Sequence, residues 1–239
     1  MNHFASTASR EREFSEQHNL ISTTDTQSRI TYANEHFCDI AGYHPDELDS
    51  QYHNVVRHAD MPKAAFKDMW DHLKDKKSWM GVVKNRCKNG DHYWVNAYVT
   101  PILDNNGNVF EYQSVRTKPS RADIERAAGY YQQINQGKLP RALRLPTFNI
   151  SLISLLLSFG TIIAIIANMM LSEISSLSSV AIGLVIIQSV FAIWWGKKLK
   201  TLASIAKENF NTDITQVLYT GRRDELAAIE LAIRMKKAE

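Results

Sequence analysis

The sequence predicts an α+β domain followed by a two-helix transmembrane hairpin and a short helical tail. Strand-like segments rich in Val, Tyr and Trp flank a helical middle in the first half of the chain. Two long apolar runs follow, and Glu173 is the only formally charged residue between Leu145 and Gly196. Beyond them, apolar spacings of three and four residues predict two short tail helices, one with Leu199, Leu202 and Ile205 or Ala206 and one with Leu226, Ile229 and Ile233. We expect a five-stranded antiparallel sheet with helices on one face.

The five strands are predicted at 20–24, 29–33, 79–86, 92–103 and 109–117. Residues 25–28 make the first turn. Asn89 and Gly90 join the third and fourth strands, and Asn-Gly is a strong short hairpin signal. Residues 104–107 make the last turn.

The helical middle is predicted from caps and apolar spacing. Asn34 suits a helix N-cap, and Gly42 ends that helix. A further short helix opens at Pro45, and a longer one at Pro62. The longer helix has one connected apolar face, made by Ala65, Phe66, Met69, Trp70 and Leu73.

A polar loop precedes the longer helix. We expect Asp60 to cap its free backbone N–H groups, and Arg57 and His58 to lie at the same helix end. Such a place suits an anionic or strongly polar ligand. Alternatively, Arg57 and Asp60 form a surface ion pair and His58 is a solvated turn residue.

Two membrane spans are predicted at 147–171 and 177–195, because a spanning helix needs roughly 20 apolar residues. Basic residues flank the pair on both outer sides and are missing from the connector. By the positive-inside rule both termini are cytoplasmic, and Trp194 and Trp195 lie at the inner interface. The net charge of +3 reflects this topology. Elsewhere the Lys and Arg residues are scattered and form no basic stripe, which gives no support for nucleic-acid binding.

Several kinds of chemistry find no support in the sequence. Glycine-rich phosphate loops, nucleophile elbows and zincin pairs are missing, so we expect no enzyme. Cys38 and Cys87 do not suggest a disulfide framework. A metal site from His53, His58 and Asp60 lacks a convincing fourth ligand.

Four segments resemble the PAS sensor domain of the bacterial aerotaxis receptors, over about residues 22–117. They read STTDTQSRITYANEHF, GYHPDEL, VVRHADMPKAAFKDMW and VKNRCKNGDHYWVNAYVTPI. The third is the most specific. The resemblance implies a non-covalently bound FAD between the helical middle and the sheet, a redox or oxygen response, and a bacterial inner membrane location. The positions that match the family's flavin-binding positions are Arg57, His58, Asp60, Asn34, Trp70 and Asn85.

The residue types at these positions also suit a flavin on chemical grounds. Arg57 can bind the pyrophosphate or fix Asp60. Trp70 and Trp79 offer flat apolar faces to a ring system, although plain core packing explains each of them equally well. The Asn85 amide offers a donor and an acceptor to a flavin edge.

Other cofactors are less well supported. Light-driven adduct chemistry needs a reactive cysteine beside the ring within its own signature, and neither Cys38 nor Cys87 matches it. Haem needs an axial ligand, which His58 or His72 could supply.

The predicted organisation is an N-terminal cap (1–19), the sensor domain (20–118), a helical connector (119–146), the hairpin (147–195) and a tail (196–239). The run from Arg223 to Leu226 resembles the end of a HAMP linker, which works as a dimer, so we expect a homodimer. An amphipathic tail lying on the membrane is the alternative.

The resemblance also raises the question of output. Such receptors continue into a signalling domain that contacts the chemotaxis kinase, whereas this sequence stops at Glu239. We therefore expect a shortened form that reaches a chemoreceptor or kinase complex through another chain. A cofactor-free PAS interaction module acting as a membrane adaptor is the alternative function.

Overall fold

A computed structural model describes residues 9–144, 150–171, 176–209 and 213–238. The strands are β1 (Leu20–Thr24), β2 (Ile30–Ala33), β3 (Trp79–Arg86), β4 (His92–Leu103) and β5 (Val109–Thr117). The helices are α1 (Glu35–Ala41), α2 (Pro45–Leu48), α3 (Lys63–Lys74), α4 (Arg121–Asn135), α5 (Arg141–Arg144), α6 (Ile150–Leu171), α7 (Ser176–Asn209), α8 (Asp213–Thr220) and α9 (Glu225–Ala238). A short 3-10 turn spans His53–Val56.

The five strands form one antiparallel sheet in the order β2-β1-β5-β4-β3. This confirms the predicted sheet. The last three strands have the predicted bounds, and β2 begins one residue later than predicted.

The helices of the first face begin and end largely as predicted. The Asn34 side chain caps α1 by accepting a hydrogen bond from the Phe37 backbone N–H at 3.1 Å. Gly42 ends α1 with a φ of 75°, a conformation that glycine adopts without strain. The predicted cap at Asp60 is wrong, because Pro62 occupies the N-cap of α3. Instead, Lys84 on β3 holds the Asp60 carboxylate at 2.6 Å.

Helices cover the second face of the sheet as well, so the prediction of helices on one face was wrong in this respect. Val95 and Ala97 on β4 are buried on one face of the sheet. Trp94 and Tyr98 lie on the opposite face, and each of them is nevertheless only 8% exposed. A sheet with two apolar faces must bury both. Here α4 and α8 provide the second layer.

Two hydrogen bonds fix that second layer to the sheet. The Tyr131 hydroxyl of α4 donates to the Val82 carbonyl at 2.6 Å. The Tyr219 hydroxyl of α8 donates to Asn96 Oδ1. Apolar spacing predicted α9 but not α8.

The two apolar helices α6 and α7 pack against each other. In the described part of the chain, the stretch Val180–Lys207 is long and apolar enough to cross a membrane, and Leu155–Ala167 is a shorter apolar helix. The predicted hairpin is not confirmed by this and stays a prediction. Residues 172–175 of its connector (172–176) and residues 147–149 of its first span lie outside the described residues.

The predicted tail begins inside α7. This helix runs without a break through Gly196, so the expected first tail helix from Leu199 continues the second apolar run. Residues 1–8 of the predicted cap lie outside the described residues. The remainder of that cap contacts the start of β4, where the Arg12 backbone N–H donates to the His92 carbonyl at 2.7 Å.

Candidate functional site

A cavity of about 300 Å³ lies between α3, the 3-10 turn and the sheet. Four of the seven predicted ligand residues line it, namely Arg57, Trp70, Trp79 and Asn85. They come from three separate parts of the chain: the loop before α3, α3 itself and β3. The fold therefore brings the core of the predicted site together.

Asn34, His58 and Asp60 do not line this cavity. The side-chain oxygen Oδ1 of Asn34 accepts from the Ile21 and Phe37 backbone N–H groups, and its Nδ2 donates to the Asn19 carbonyl at 2.8 Å. Asn34 thus joins α1 to β1. Its role as a ligand stays a prediction.

His58 and Asp60 form a small polar cluster with Lys84 beside the cavity. His58 Nδ1 accepts from the Asp60 backbone N–H at 3.1 Å. Burial, followed by the charge of Lys84, lowers the pKa of His58. The hydrogen bond from Lys84 lowers the pKa of Asp60. Lys84, and not Arg57, is therefore the ionic partner of Asp60, and a ligand role for either residue stays a prediction.

Arg57 is held at the cavity wall by two contacts. Its Nη2 donates to the Met61 carbonyl at 3.1 Å, and its guanidinium lies 4.3 Å from the centre of the Phe66 ring. The Arg57 backbone also bridges to Asn85 on β3. Asn85 is 4% exposed. The loop before α3 is thus tied to the edge strand of the sheet.

The two tryptophans form apolar walls. Trp79 is 5% exposed, and its Nε1 donates to Asp68 Oδ2 at 2.8 Å. Trp70 meets the ring of Tyr112 edge to face, with 5.4 Å between the ring centres. Tyr52, which is 49% exposed, marks the open side of the cavity.

The cavity also has a polar end that was not predicted from the sequence. We call it the arginine end and define it as Ser22, His53, Ser114 and Arg116, of which all but the partly buried His53 are buried. Arg116 Nη1 donates to Ser22 Oγ at 3.0 Å, and Nη2 donates to His53 Nε2 at 2.7 Å. Ser114 Oγ is buried and has no hydrogen-bond partner in the described structure. Ser114 and Arg116, two residues apart, share one face of the predicted strand, and this was the available signal.

Burial governs the charges at the arginine end. It lowers the pKa of His53 to about 3, with a further contribution from the charge of Arg116. It also lowers the pKa of Arg116 to about 10. At neutral pH His53 is therefore uncharged, and Arg116 remains a cation.

The residues considered for other cofactors lie elsewhere. Neither His58 nor His72 lines the cavity, and His72 Nδ1 is 2.8 Å from the Asp68 carbonyl. Cys38 and Cys87 are buried away from it. Within the described ranges no group of three or more His, Cys, Asp or Glu side chains could hold a metal ion.

The sheet, its helices and the cavity together define a PAS fold, and residues 30–116 match the model of that fold family. This domain is similar to the aerotaxis receptor of Escherichia coli, with 48% identity over 124 residues that cover 52% of this chain and 24% of that protein. The predicted resemblance is thereby confirmed for this part of the chain.

Other relatives are more distant. The nitrogen fixation regulatory protein of Klebsiella pneumoniae is 31% identical over 96 residues, which cover 40% of this chain and 19% of that protein. The chain thus spans about a quarter or less of these curated relatives. The dark structure of the blue-light photoreceptor Aureochrome1 LOV is 19% identical, covers 48% of this chain and 86% of that chain, and has a TM-score of 0.43. A likeness at that score supports no statement about function.

Proposed function

We propose that this chain is a membrane-anchored, non-enzymatic sensor of redox state or oxygen that binds FAD in the cavity of its PAS domain. The observation that supports this best is the meeting of Arg57, Trp70, Trp79 and Asn85 at one cavity. The similarity of the domain to an aerotaxis receptor supports the same conclusion.

The residues present fit a flavin. The cavity is within the size range of small-molecule sites, which are mostly apolar with a few polar groups. Trp79 and Trp70 offer flat walls, and the buried Ser114 hydroxyl faces the cavity without a protein partner. When bound, a flavin would supply reversible uptake of electrons.

The side chains of this site would bind the flavin, orient it and respond to its redox state. Arg57 can donate charge-assisted hydrogen bonds to phosphate oxygens. The Asn85 amide, which offers both a donor and an acceptor, would reorient when the preferred partner changes. Asn85 lies on β3 together with Val82. The Val82 carbonyl accepts the hydrogen bond from the hydroxyl of Tyr131, which belongs to α4 on the opposite face of the sheet. A local change at the cavity could thus reach α4, as in other electrostatic switches.

Membrane anchoring and output complete the proposal. We place α6 and α7 in the bacterial inner membrane as a hairpin with both termini in the cytoplasm. The region after α7 would be a HAMP-like module in a homodimer, which would act on a chemoreceptor or chemotaxis kinase complex through another chain. The packing of α8 on α4 gives the sensor domain a direct contact with this region.

Colour tests the cofactor. The detergent-solubilised full chain should be yellow and bleach on addition of dithionite. The variants Arg57→Ala and Trp70→Ala should lose most of the FAD, whereas Arg121→Ala and Trp195→Ala remove exposed side chains outside the cavity and should retain it. Full retention of FAD in both cavity variants would reject this site.

The alternative is a cofactor-free PAS module that acts as a membrane adaptor. The contact between Tyr219 and Asn96 favours it, because such a contact needs no ligand. Colourless protein that takes up no added FAD would support this alternative.

A further inference from the structure

We propose that the arginine end of the cavity is a counter-charge site for the reduced, anionic flavin ring, and that Arg116 thereby raises the reduction potential of the cofactor. This inference rests on the proposed function. It assigns a role to residues that lie apart from Arg57 and the tryptophans.

Arg116 is a buried cation that lacks an anionic partner. It is 3% exposed, and no carboxylate in the described ranges forms an ion pair with it. Its hydrogen bonds go to Ser22, His53 and the Ser114 carbonyl, which are all neutral acceptors. The Phe37 ring centre lies 5.0 Å from the guanidinium. A buried charge without a partner is strongly destabilising, so this position favours a ligand with negative charge.

The other titratable or charged groups that line the cavity, and Tyr93 near Arg116, do not supply that negative charge. His53 is neutral because its pKa is lowered to about 3. Burial raises the pKa of both Tyr93 and Tyr112, so both phenols stay protonated. Arg57 adds a second cation at the cavity wall. All these groups are neutral or positive at neutral pH, which leaves an anionic ligand as the missing partner.

Two parts of FAD could supply the anion, namely its phosphates and its reduced ring. Two electrons from an external donor and one proton from solvent convert the neutral oxidised ring into a ring with one negative charge. The phosphates are always charged and strongly hydrated, which suits the open side of the cavity near Tyr52. Ser22 and Arg116 lie at the closed side, with exposures of 0% and 3%. We therefore assign the arginine end to the ring.

Removing the charge of Arg116 tests the assignment. Arg116→Gln keeps a hydrogen-bonding amide, Arg116→Lys keeps the charge, and Arg121→Gln makes the same charge change at the exposed Arg121, outside the cavity. Each full-length protein is loaded with FAD in detergent and titrated against a redox dye with dithionite as the electron donor. We expect Arg116→Gln to weaken binding of the reduced ring relative to the oxidised ring about tenfold, which lowers the midpoint potential by about 30 mV. Arg116→Lys should restore most of the loss, and Arg121→Gln should leave the potential unchanged.

The unmodified chain provides a second measurement that does not depend on a variant folding. If the reduced ring stays anionic, one proton accompanies two electrons and the midpoint falls by about 30 mV per pH unit between about pH 5 and 7. Uptake of two protons would double that slope. His53 remains neutral over this range because its pKa is about 3, so it contributes no proton to the slope.

The outcomes separate this inference from the proposed function. Yellow protein with the doubled slope, or an unchanged potential in FAD-loaded Arg116→Gln, overturns the inference alone. Loss of FAD binding in Arg116→Gln with normal binding of riboflavin, which has no phosphate, assigns Arg116 to the phosphates and also overturns it. Unmodified protein that binds no flavin overturns both.

Discussion

The indole of Trp79 occupies the space that a side chain on Gly81 would need. A Cβ atom built on Gly81 would lie 2.2 Å from Cη2 and 2.4 Å from Cζ2 of Trp79. Both residues are on β3, and residues two apart in a strand point to the same face. The hydrogen bond from Trp79 Nε1 to Asp68 holds the ring against α3. The lack of a side chain at Gly81 therefore fixes this wall of the cavity.

Gly81→Ala should deform that wall. Because the indole is buried and bonded at its far edge, the added methyl group forces either the ring or the strand to move. We expect the free energy of unfolding to fall by about 1–3 kcal/mol, as for other overpacked cores, and FAD content to fall with it. Thermal unfolding and flavin absorbance measure the two effects.

Gly129→Ala is the matched control for this substitution. Gly129 lies within α4, and a Cβ there meets nothing within 4 Å. Alanine favours helices, so this change should be neutral or stabilise the protein by up to about 1 kcal/mol. Equal stability and FAD content in both glycine variants would contradict the proposed packing of Trp79.

Tyr219 joins the C-terminal region to the sheet, and its removal should loosen that contact. Tyr219 is 3% exposed, and its hydroxyl bonds to Asn96. Tyr219→Phe leaves the amide without this partner and should reduce stability by about 1 kcal/mol, whereas Tyr219→Ala also opens a cavity and should lose about 3–5 kcal/mol. Hydrogen exchange in α8 should speed up in the same order. Tyr32→Phe, at a tyrosine that is 54% exposed, should change neither quantity.

Acid should destabilise the flavin-free protein, in part through His53. The pKa of His53 is about 3 in the folded state and near 6.5 in the unfolded state, so the histidine is neutral in both above pH 6.5. As the pH falls from 6.5 towards 3, the unfolded chain takes up a proton that the folded chain does not. The free energy of unfolding therefore falls, by at most about 1.4 kcal/mol per pH unit from this group.

His53→Gln should make this acid dependence shallower. Denaturation curves at pH 7.5 and pH 5 give the difference for each protein. His58 and His92 also have lowered pKa values and contribute with the same sign, so the comparison is with the unmodified chain. His18→Gln, at an exposed histidine, should keep the original dependence. An unchanged dependence in His53→Gln would show that His53 is not buried in its neutral form.

Local signals explain which parts of the fold could be predicted. The hairpin at Asn89 and Gly90 fixes the register of β3 and β4 over a few residues, so both strands have the predicted bounds. Arg57, Trp70 and Asn85, which were selected through the resemblance, line the cavity. By contrast, the bond between Arg116 and Ser22 joins residues 94 positions apart. That contact depends on the pairing of β1 with β5, which no local pattern reveals.

The errors have similar physical causes. Asp60 does not cap α3, since Pro62 holds the N-cap position, and its carboxylate binds Lys84, which is distant in sequence. The buried face of α8 is recognisable only together with its partner, since Arg126 of α4 donates to the Leu218 and Tyr219 carbonyls at 2.8 and 2.9 Å. In α7, nothing in the sequence around Gly196 was strong enough to end the helix.

The transmembrane hairpin can be tested with single cysteines. Cys38 and Cys87 are 4% and 1% exposed, and burial raises the pKa of both thiols, so their background reactivity should be low. Glu173→Cys, at a position outside the described residues, should react with a membrane-impermeant maleimide in intact spheroplasts. Lys138→Cys should react only after the membrane is permeabilised, because its basic neighbourhood stays in the cytoplasm. Reaction of Lys138→Cys in intact spheroplasts would contradict the orientation, and protection of Glu173→Cys would contradict the hairpin itself.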